Sequence, residues 1–492
     1  MLSYISLKVY TNFGTLPISS QNPAATNSPA TTDDPTATPN PDTTGNPTTT
    51  NDPAATNYPT TTNNPATTSN PGTTGNPFTT NNPAASDNPT TTSAPGTKNK
   101  NDVSIIQNII QEQRQKGATV SEDLDNDQYL WENGRLMRIN WSKQNLQGEL
   151  DFSGLESLAY LYCSENLLNN LNVSKNTALT LLDCSKNQLN SLDISMNTAL
   201  TFLNCSKNQL NSLDVSKITA LTYLDCSDNP LNSLDVSKNT ALTSLDCFEN
   251  SLNTLDVSKN TSLTYLDCSE NSLNTLDVSK NTSLTYLDCS DNPLNSLDVN
   301  NNIALTNLNC SVNQLNTLDV SKNTTLTSLD CQNNQLNTLD VSKATALTEL
   351  DCCYNQLNAL DVSKNIALTK LSCFNNQLTT LDIIKNTELT SLHCSENQLN
   401  TLDVSQSTAL TELYCYNNQL NNLDVSKNTA LTSLYCGANQ LSSLDVSKNI
   451  ALTELNCSDN QLTTLDISKN TELEKLTCDD TVTIIGKENT KY

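Results

Sequence analysis

Cysteine is the residue type best placed for chemistry in this chain, and its spacing decides which chemistry. Sixteen of the 17 cysteines run from Cys163 to Cys478 at an interval of 21 residues, and only Cys353 stands off that series. No pair has the C-x-x-C spacing of a zinc site. Equivalent residues on neighbouring parallel strands stand about 4.8 Å apart, whereas a disulfide wants Cβ atoms at about 3.5–4.5 Å. Bridges between rungs would pucker the sheet, so the ladder reads as buried free thiols packed as small hydrophobes. Thiols in this number fit a reducing or anaerobic setting. Cys353 follows the ladder residue Cys352 directly, so strand alternation sends it to solvent.

Histidine occurs once, as His393, one residue before Cys394. With no nucleophile–base pairing or phosphate loop in the sequence, it reads as a polar residue on the open face of a strand. The chain therefore reads as non-enzymatic and without a cofactor. Aspartate forms two series. Asp193, Asp214, Asp235 and their equivalents stand in segments such as LDVSKNTA, where a carboxylate caps amides two or three residues on. The other series precedes the cysteines: Asp225, Asp246, Asp267 and Asp288, then Asn309, then Asp330 and Asp351. Two residues after the cysteines stand Asp228, Glu249, Glu270 and Asp291. Like charges stacked on successive rungs repel, so this strip is expected to hold raised pKa values or to gather a divalent cation or a basic partner.

Downstream the same surface turns aromatic. It carries Tyr354, Phe374, Tyr414, Tyr416 and Tyr435 with His393 among them, and earlier rungs add Tyr160, Phe202, Tyr223, Tyr265 and Tyr286. Aromatic side chains beside an acidic strip are the composition of an interface centre. Those first five aromatics, His393 and the four aspartates from Asp225 to Asp288 form the candidate ligand-binding set. Drift at solvent positions of a repeat is the simpler alternative, since tyrosine suits a sheet surface anyway.

The elements that position these residues follow from the same period. Leucines at 158, 179, 200 and onward to 473 open units such as LTYLDCSDNPLNSLDVSKNTA, which match L-x-x-L-x-[L/C]-x-x-N-x-L, the leucine-rich-repeat signature. Each unit supplies a short strand around LDC to a parallel sheet. Leucines at the first and fourth positions, the cysteine at the sixth and the next two leucines point inward. No unit buries these alone, so stacking creates the core. Asparagine three residues after each ladder cysteine, from Asn166 to Asn460, turns the chain off the strand and bonds neighbouring turns; after Cys478 the place is taken by Thr481. The fold class is an α/β repeat solenoid, a horseshoe or gently curved rod, over residues 158–478. A C-terminal cap follows over 479–492.

Ahead of the repeats, residues 101–157 read as a cap. Val103, Ile106 and Ile110 share a helical face widened by Ile105 and Ile109, with Asp102 as N-cap and Gly117 as the stop. In YLWENGRLMRINW, Asn133-Gly134 between apolar runs signals a hairpin. Residues 22–100 carry a proline every six positions from Pro23 to Pro95 among Thr and Asn, the composition of a disordered, extended stalk suited to O-glycosylation. Residues 1–21 are unassigned: they lack a basic leading region, and Lys8 interrupts the apolar stretch, a poor export signal. No apolar run is long enough for a membrane span. The net charge of −26 opposes nucleic-acid and anionic-membrane partners.

The 21-residue unit with cysteine at a strand core position resembles the short-repeat class of bacterial leucine-rich-repeat proteins, with the internalins related in architecture. The segment from Asp102 to the first rung is similar to the N-terminal cap of surface-associated repeat proteins of anaerobic Gram-positive bacteria. The resemblance spans residues 102–480. It implies recognition of a protein partner, or of a glycan, in adhesion at the cell surface or after secretion, and transfers no individual binding residue. An intracellular scaffold or signalling adaptor is the alternative.

Overall fold

The computed structural model describes residues 97–486. The expected stalk up to residue 96, the unassigned segment before it and the final residues 487–492 lie outside the described residues.

Helix α1 spans Lys100–Gln115. Its N-cap is Asn99, whose side chain accepts from the amides of Asn101 and Asp102 at 2.9 and 3.1 Å. This corrects the assignment of Asp102 as cap. Asp102 lies in the first helical turn, buried, with its carboxylate accepting from the Arg135 guanidinium at 2.8 and 3.2 Å and from the Leu136 amide. The sequence holds two capping residues three apart, and the later one is drawn sideways to Arg135. Gly117, at φ 98°, ends the helix, and Ile106 and Ile110 are fully buried on the expected face.

Strands β1 (Tyr129–Glu132) and β2 (Arg135–Asn140) form the expected antiparallel hairpin. Asn133 and Gly134 both have positive φ, 50° and 78°, as a two-residue turn of this hand requires. A Cβ on Gly134 would meet the Thr97 carbonyl oxygen at 2.7 Å, so only glycine fits. β2 then pairs in parallel with Tyr160–Tyr162, the strand of the first rung. Trp141 and Phe152 are fully buried beneath this junction.

From there each unit adds one parallel strand in unbroken register, Leu224 against Leu245, Leu266 and so on, within an 18-stranded sheet. The strands are three residues long and end just before the cysteine, as in Tyr223–Asp225, so they start earlier than the expected LDC. The inward set is as expected: Leu221, Leu224, Cys226 and Leu231 are fully buried, Leu234 nearly so, and Val236 joins them. Truncating one such leucine costs about 2–5 kcal/mol, and the two flanking rungs share the cavity. At the end of the repeats, Thr483–Ile485 pairs with Thr464–Asp466.

The asparagine ladder has the expected role. The Asn187 amide donates to the carbonyls of Cys184 and Ser185 on its own rung and of Cys163 on the preceding one, while its oxygen accepts from the Leu168 amide. The residue before each of these asparagines is left-handed, with φ of 48–54° from Glu165 to Asp459. Most are not asparagine or glycine, so this strain is offset by the bonds that flank it.

Candidate functional site

The ladder thiols face the interior. Cys163 to Cys457 are fully buried and unpaired, and Cys478 is partly exposed. Several donate weakly along the stack, Cys226 Sγ to the Asp246 carbonyl at 3.6 Å and Cys247 Sγ to that of Asp267 at 3.4 Å. Burial pushes these thiols far above their usual pKa, so they are packing groups rather than nucleophiles. Cys353 corrects the expectation that it points to solvent, because it is fully buried. The position after the cysteine lies beyond the strand and turns partly inward on many rungs: Ser227, Ser290 and Ser395 are buried there, and so is the larger Phe374. Strand alternation no longer applies at that point.

That turn also explains the aspartates before the cysteines. Asp225 Oδ1 accepts from the Ser227 amide at 3.1 Å and from its hydroxyl at 2.7 Å; Asp267 does the same with Ser269, and Asp288 with Ser290. The outer aspartates make the same turn, Asp235 Oδ1 accepting from the Ser237 amide at 2.9 Å. Their environments then diverge. Hydrogen bonds from Ser237 lower the Asp235 pKa at the exposed outer turn. On the sheet side, burial and then the neighbouring carboxylates raise Asp246, and burial followed by Asp288 pushes Asp267 up to about 8. Asp225 to Asp288 are in register on successive strands, as expected. For the expected divalent cation there is no constellation: among the described residues no group of three or more His, Cys, Asp or Glu is arranged to hold a metal ion.

The downstream aromatics form one continuous stack across the rungs. Tyr354 meets Phe374 edge-on at 4.7 Å between ring centroids, and Phe374 stacks on His393 at 4.2 Å. His393 contacts Tyr414 at 5.2 Å and Tyr416 at 6.2 Å, and Tyr414 stacks on Tyr435 at 5.0 Å. The six candidate rings are therefore brought together, but not equally exposed. Tyr354 is exposed, His393 and the three downstream tyrosines are half-buried, and Phe374 is buried. His393 is not an ordinary polar surface residue. Its ring is held between Phe374 and Tyr414, burial lowers its pKa to about 4, and Nε2 has no hydrogen-bond partner. Upstream, Phe202 stacks on Tyr223 at 4.3 Å and Tyr265 on Tyr286 at 4.6 Å. The candidate set thus divides into an acidic zone and an aromatic zone on one sheet face.

Two features were missed in the sequence. A second asparagine ladder runs along the opposite side, fully buried: the Asn239 amide donates to the carbonyls of Val215 and Ile218, and Asn260 and Asn281 repeat the pattern. The signal was the asparagine in each LDVSKN, broken by Ile218, Ala344 and Ser407. The other is the threonine that follows the opening leucine in every unit from Thr180 to Thr453. Thr243 Oγ1 donates to the Thr222 carbonyl and Thr264 Oγ1 to that of Thr243, tying rung to rung at the sheet edge.

No family profile and no curated protein sequence matches the chain. Solved structures do. The functional domain of InlJ from Listeria monocytogenes, described as including a cysteine ladder, is 39% identical with a TM-score of 0.62, covering 67% of this chain and 74% of that one. A leucine-rich-repeat protein of Leptospira interrogans is 25% identical with a TM-score of 0.59, covering 66% of this chain and 90% of that one. YopM from Yersinia enterocolitica, at 23% identity and TM-score 0.55, shares the fold. The 21-residue rung, the inward thiol at its sixth position and the identity to the InlJ domain agree: this chain belongs to the internalin-like bacterial leucine-rich-repeat proteins built on a cysteine ladder.

Proposed function

We propose that the chain is a non-enzymatic recognition protein that binds a protein partner through the open sheet face, with the rings from Tyr354 to Tyr435 at the contact centre. The observation that carries this reading is the stack itself. Half-exposed aromatics running over successive rungs are a costly surface to leave in water, and they are the residue type that dominates interface energetics. The repeat fold supports protein binding in general. A glycan is the weaker occupant. A sugar packs on a ring face, but Phe374 stacks on His393 and Tyr414 on Tyr435, so these rings turn faces to one another, and the Tyr435 hydroxyl already donates to Glu454. The internalin-like likeness supports a role at the cell surface or after secretion, which proteolysis of intact cells would test.

The test of the face is a photo-crosslinking residue in place of Tyr416, against the same residue in place of Thr240 on the outer turns, in cells that make the full chain. The reading expects a discrete protein adduct from position 416 and none from 240. Equal adducts from both positions, or none from 416, would overturn it.

A further inference from the structure

The chain holds three arginines, and two of them are matched to carboxylates within the N-terminal cap: Arg114 to Glu122 at 2.7 Å and Arg135 to Asp102 at 2.8 Å. The third, Arg138, makes no ion pair among the described residues, in a chain with 52 acidic side chains. Its guanidinium makes one hydrogen bond, from Nη2 to the Asp127 carbonyl at 3.1 Å in the exposed segment before β1, while Nε is shielded from solvent and has no partner. Register places this side chain on the open sheet face. Along β2 and the first rung, Arg138 stands against Tyr160 and Asn140 against Tyr162, with Ile139 and Leu161 between them buried inward. Tyr162 is only 4% exposed, yet its hydroxyl also has no hydrogen-bond partner. Buried polar groups left in that state are rare in folded proteins. Burial pushes the Tyr162 hydroxyl up to about 12, and the Arg138 charge acts against that, so the hydroxyl keeps its proton and lies within the field of the guanidinium. The acid in register with Tyr162 on the next strand, Asp183, is turned to its own rung, where it accepts from the Ser185 amide and hydroxyl. A cationic fork and a hydroxyl therefore face one place at the N-terminal end of the sheet, and the fold supplies no acceptor to the Arg138 Nε or the Tyr162 hydroxyl. From Arg138 the same column continues through Tyr160, Leu181 and Phe202 in register on the next three strands, an apolar strip whose first ring is 40% exposed.

We propose that Arg138 and the Tyr162 hydroxyl form a binding site for the carboxylate of a peptide segment in a partner protein, with an apolar side chain of that segment lying on Tyr160. The planar guanidinium offers paired N–H groups to two oxygens, the geometry that favours a carboxylate, and the hydroxyl donates to one of them. A dianionic phosphate fits worse, because the site has one cation, Asp183 stands on the adjacent strand and the whole chain carries a net charge of −26. The guanidinium is tied only to a carbonyl in an exposed segment, so turning its fork toward a ligand breaks no bond within the core. This site goes beyond the reading of the aromatic rungs and does not rest on the rings from Tyr354 to Tyr435, which stand many rungs away.

The experiment uses the full chain with isotope-labelled arginine, whose Nε–Hε spectrum holds three signals, and Arg138→Lys assigns the one that matters. Three short peptides are titrated at neutral pH: acetyl-Phe-Glu-amide, with a side-chain carboxylate; acetyl-Gln-Phe, with a free terminal carboxylate; and acetyl-Phe-Gln-amide, with neither. The proposal expects a saturable shift of the Arg138 signal with a carboxylate peptide and none with the neutral one, while Arg114 and Arg135 stay unmoved. The tighter of the two carboxylate peptides identifies an acidic side chain or a chain terminus as the source. Tyr162→Phe removes only a hydroxyl that bonds nothing in the fold, so its urea midpoint is expected to be unchanged while carboxylate affinity falls by about tenfold. No saturable shift from any peptide, an equal shift from all three, or an undiminished affinity in Tyr162→Phe would overturn the proposal. An Arg114 signal that moves as far as that of Arg138 would also overturn it, because it marks general screening by anions. The crosslink from position 416 reads the aromatic rungs separately, so failure of this site and failure of that reading are distinguishable.

Discussion

The carboxylate row makes the stability of the protein fall as pH rises, and Asp267 is where this is most sharply read. In the unfolded chain an aspartate loses its proton near pH 4. In the folded chain burial, with Asp288 alongside, holds Asp267 protonated up to about 8. Between those two pH values the folded state binds the extra proton, so stability is greatest below the unfolded pKa and is lost as pH climbs through the folded one. Each pH interval of one is worth ~1.4 kcal/mol for one proton, roughly 5 kcal/mol over the whole window. Asp267 keeps some contact with water, and screening there reduces the figure to about 2 kcal/mol. Asp267→Asn removes the charge and keeps the turn, because Asn309 already fills the same position on another rung with the same two bonds. Urea unfolding followed by circular dichroism between about pH 3.5 and pH 8.5, spanning both pKa values, is the assay. The variant is expected to exceed the native protein by about 2 kcal/mol at the alkaline end, to match it at the acidic end, and to show a flatter slope. A variant no more stable than the native chain at pH 8.5, or one with the same slope, would refute the argument that burial and crowding govern this row.

Other consequences follow from the same packing. Leu287→Asp places an unpaired charge at a fully buried inward site and is expected to cost several kcal/mol, seen as an early loss of ellipticity on heating. A thiol reagent under native conditions should modify Cys478 first and leave Cys353 with the protected ladder thiols, as peptide mapping after partial labelling would show. Ala344→Asn restores the buried amide at a rung that lacks it and should raise the unfolding midpoint, with a gain of about 1 kcal/mol. His393 should remain neutral down to about pH 4, so its ring resonances in NMR should not titrate between pH 5 and 7.

The fold was legible because it repeats. Leucine at 158, 179, 200 and onward fixes the period, the cysteines fix the strand register, and Asn133-Gly134 fixes the hairpin, each through local chemistry that does not depend on distant contacts. The site was legible only in part. Tyr354, Phe374, His393, Tyr414, Tyr416 and Tyr435 were correctly grouped, since a strict period brings equivalent positions together, but their degree of burial was not readable: it depends on whether a ring stacks on the next rung or turns to water. The aspartates show the same boundary. Asp-x-Ser occurs twice per unit, in DCS and DVS, and both form the same turn, as Asp225 and Asp235 show. The shared motif was visible, yet the opposite pKa directions come from burial, which the motif does not encode. Cys353 was misplaced for a related reason. The strand ends before Cys352, and alternation was carried one residue too far.

The central claim, that a protein partner lies on the open sheet face, is tested most directly by hydrogen–deuterium exchange of the full chain with and without the protein captured from position 416. The account predicts that the slowed amides fall in the segments from Tyr354 to Tyr435 that precede and follow the ladder cysteines, with those of the outer turns around Asp361, Asp403 and Asp424 unchanged. Slowing confined to the outer turns, or no slowing on the sheet-face segments at saturating partner, would contradict it.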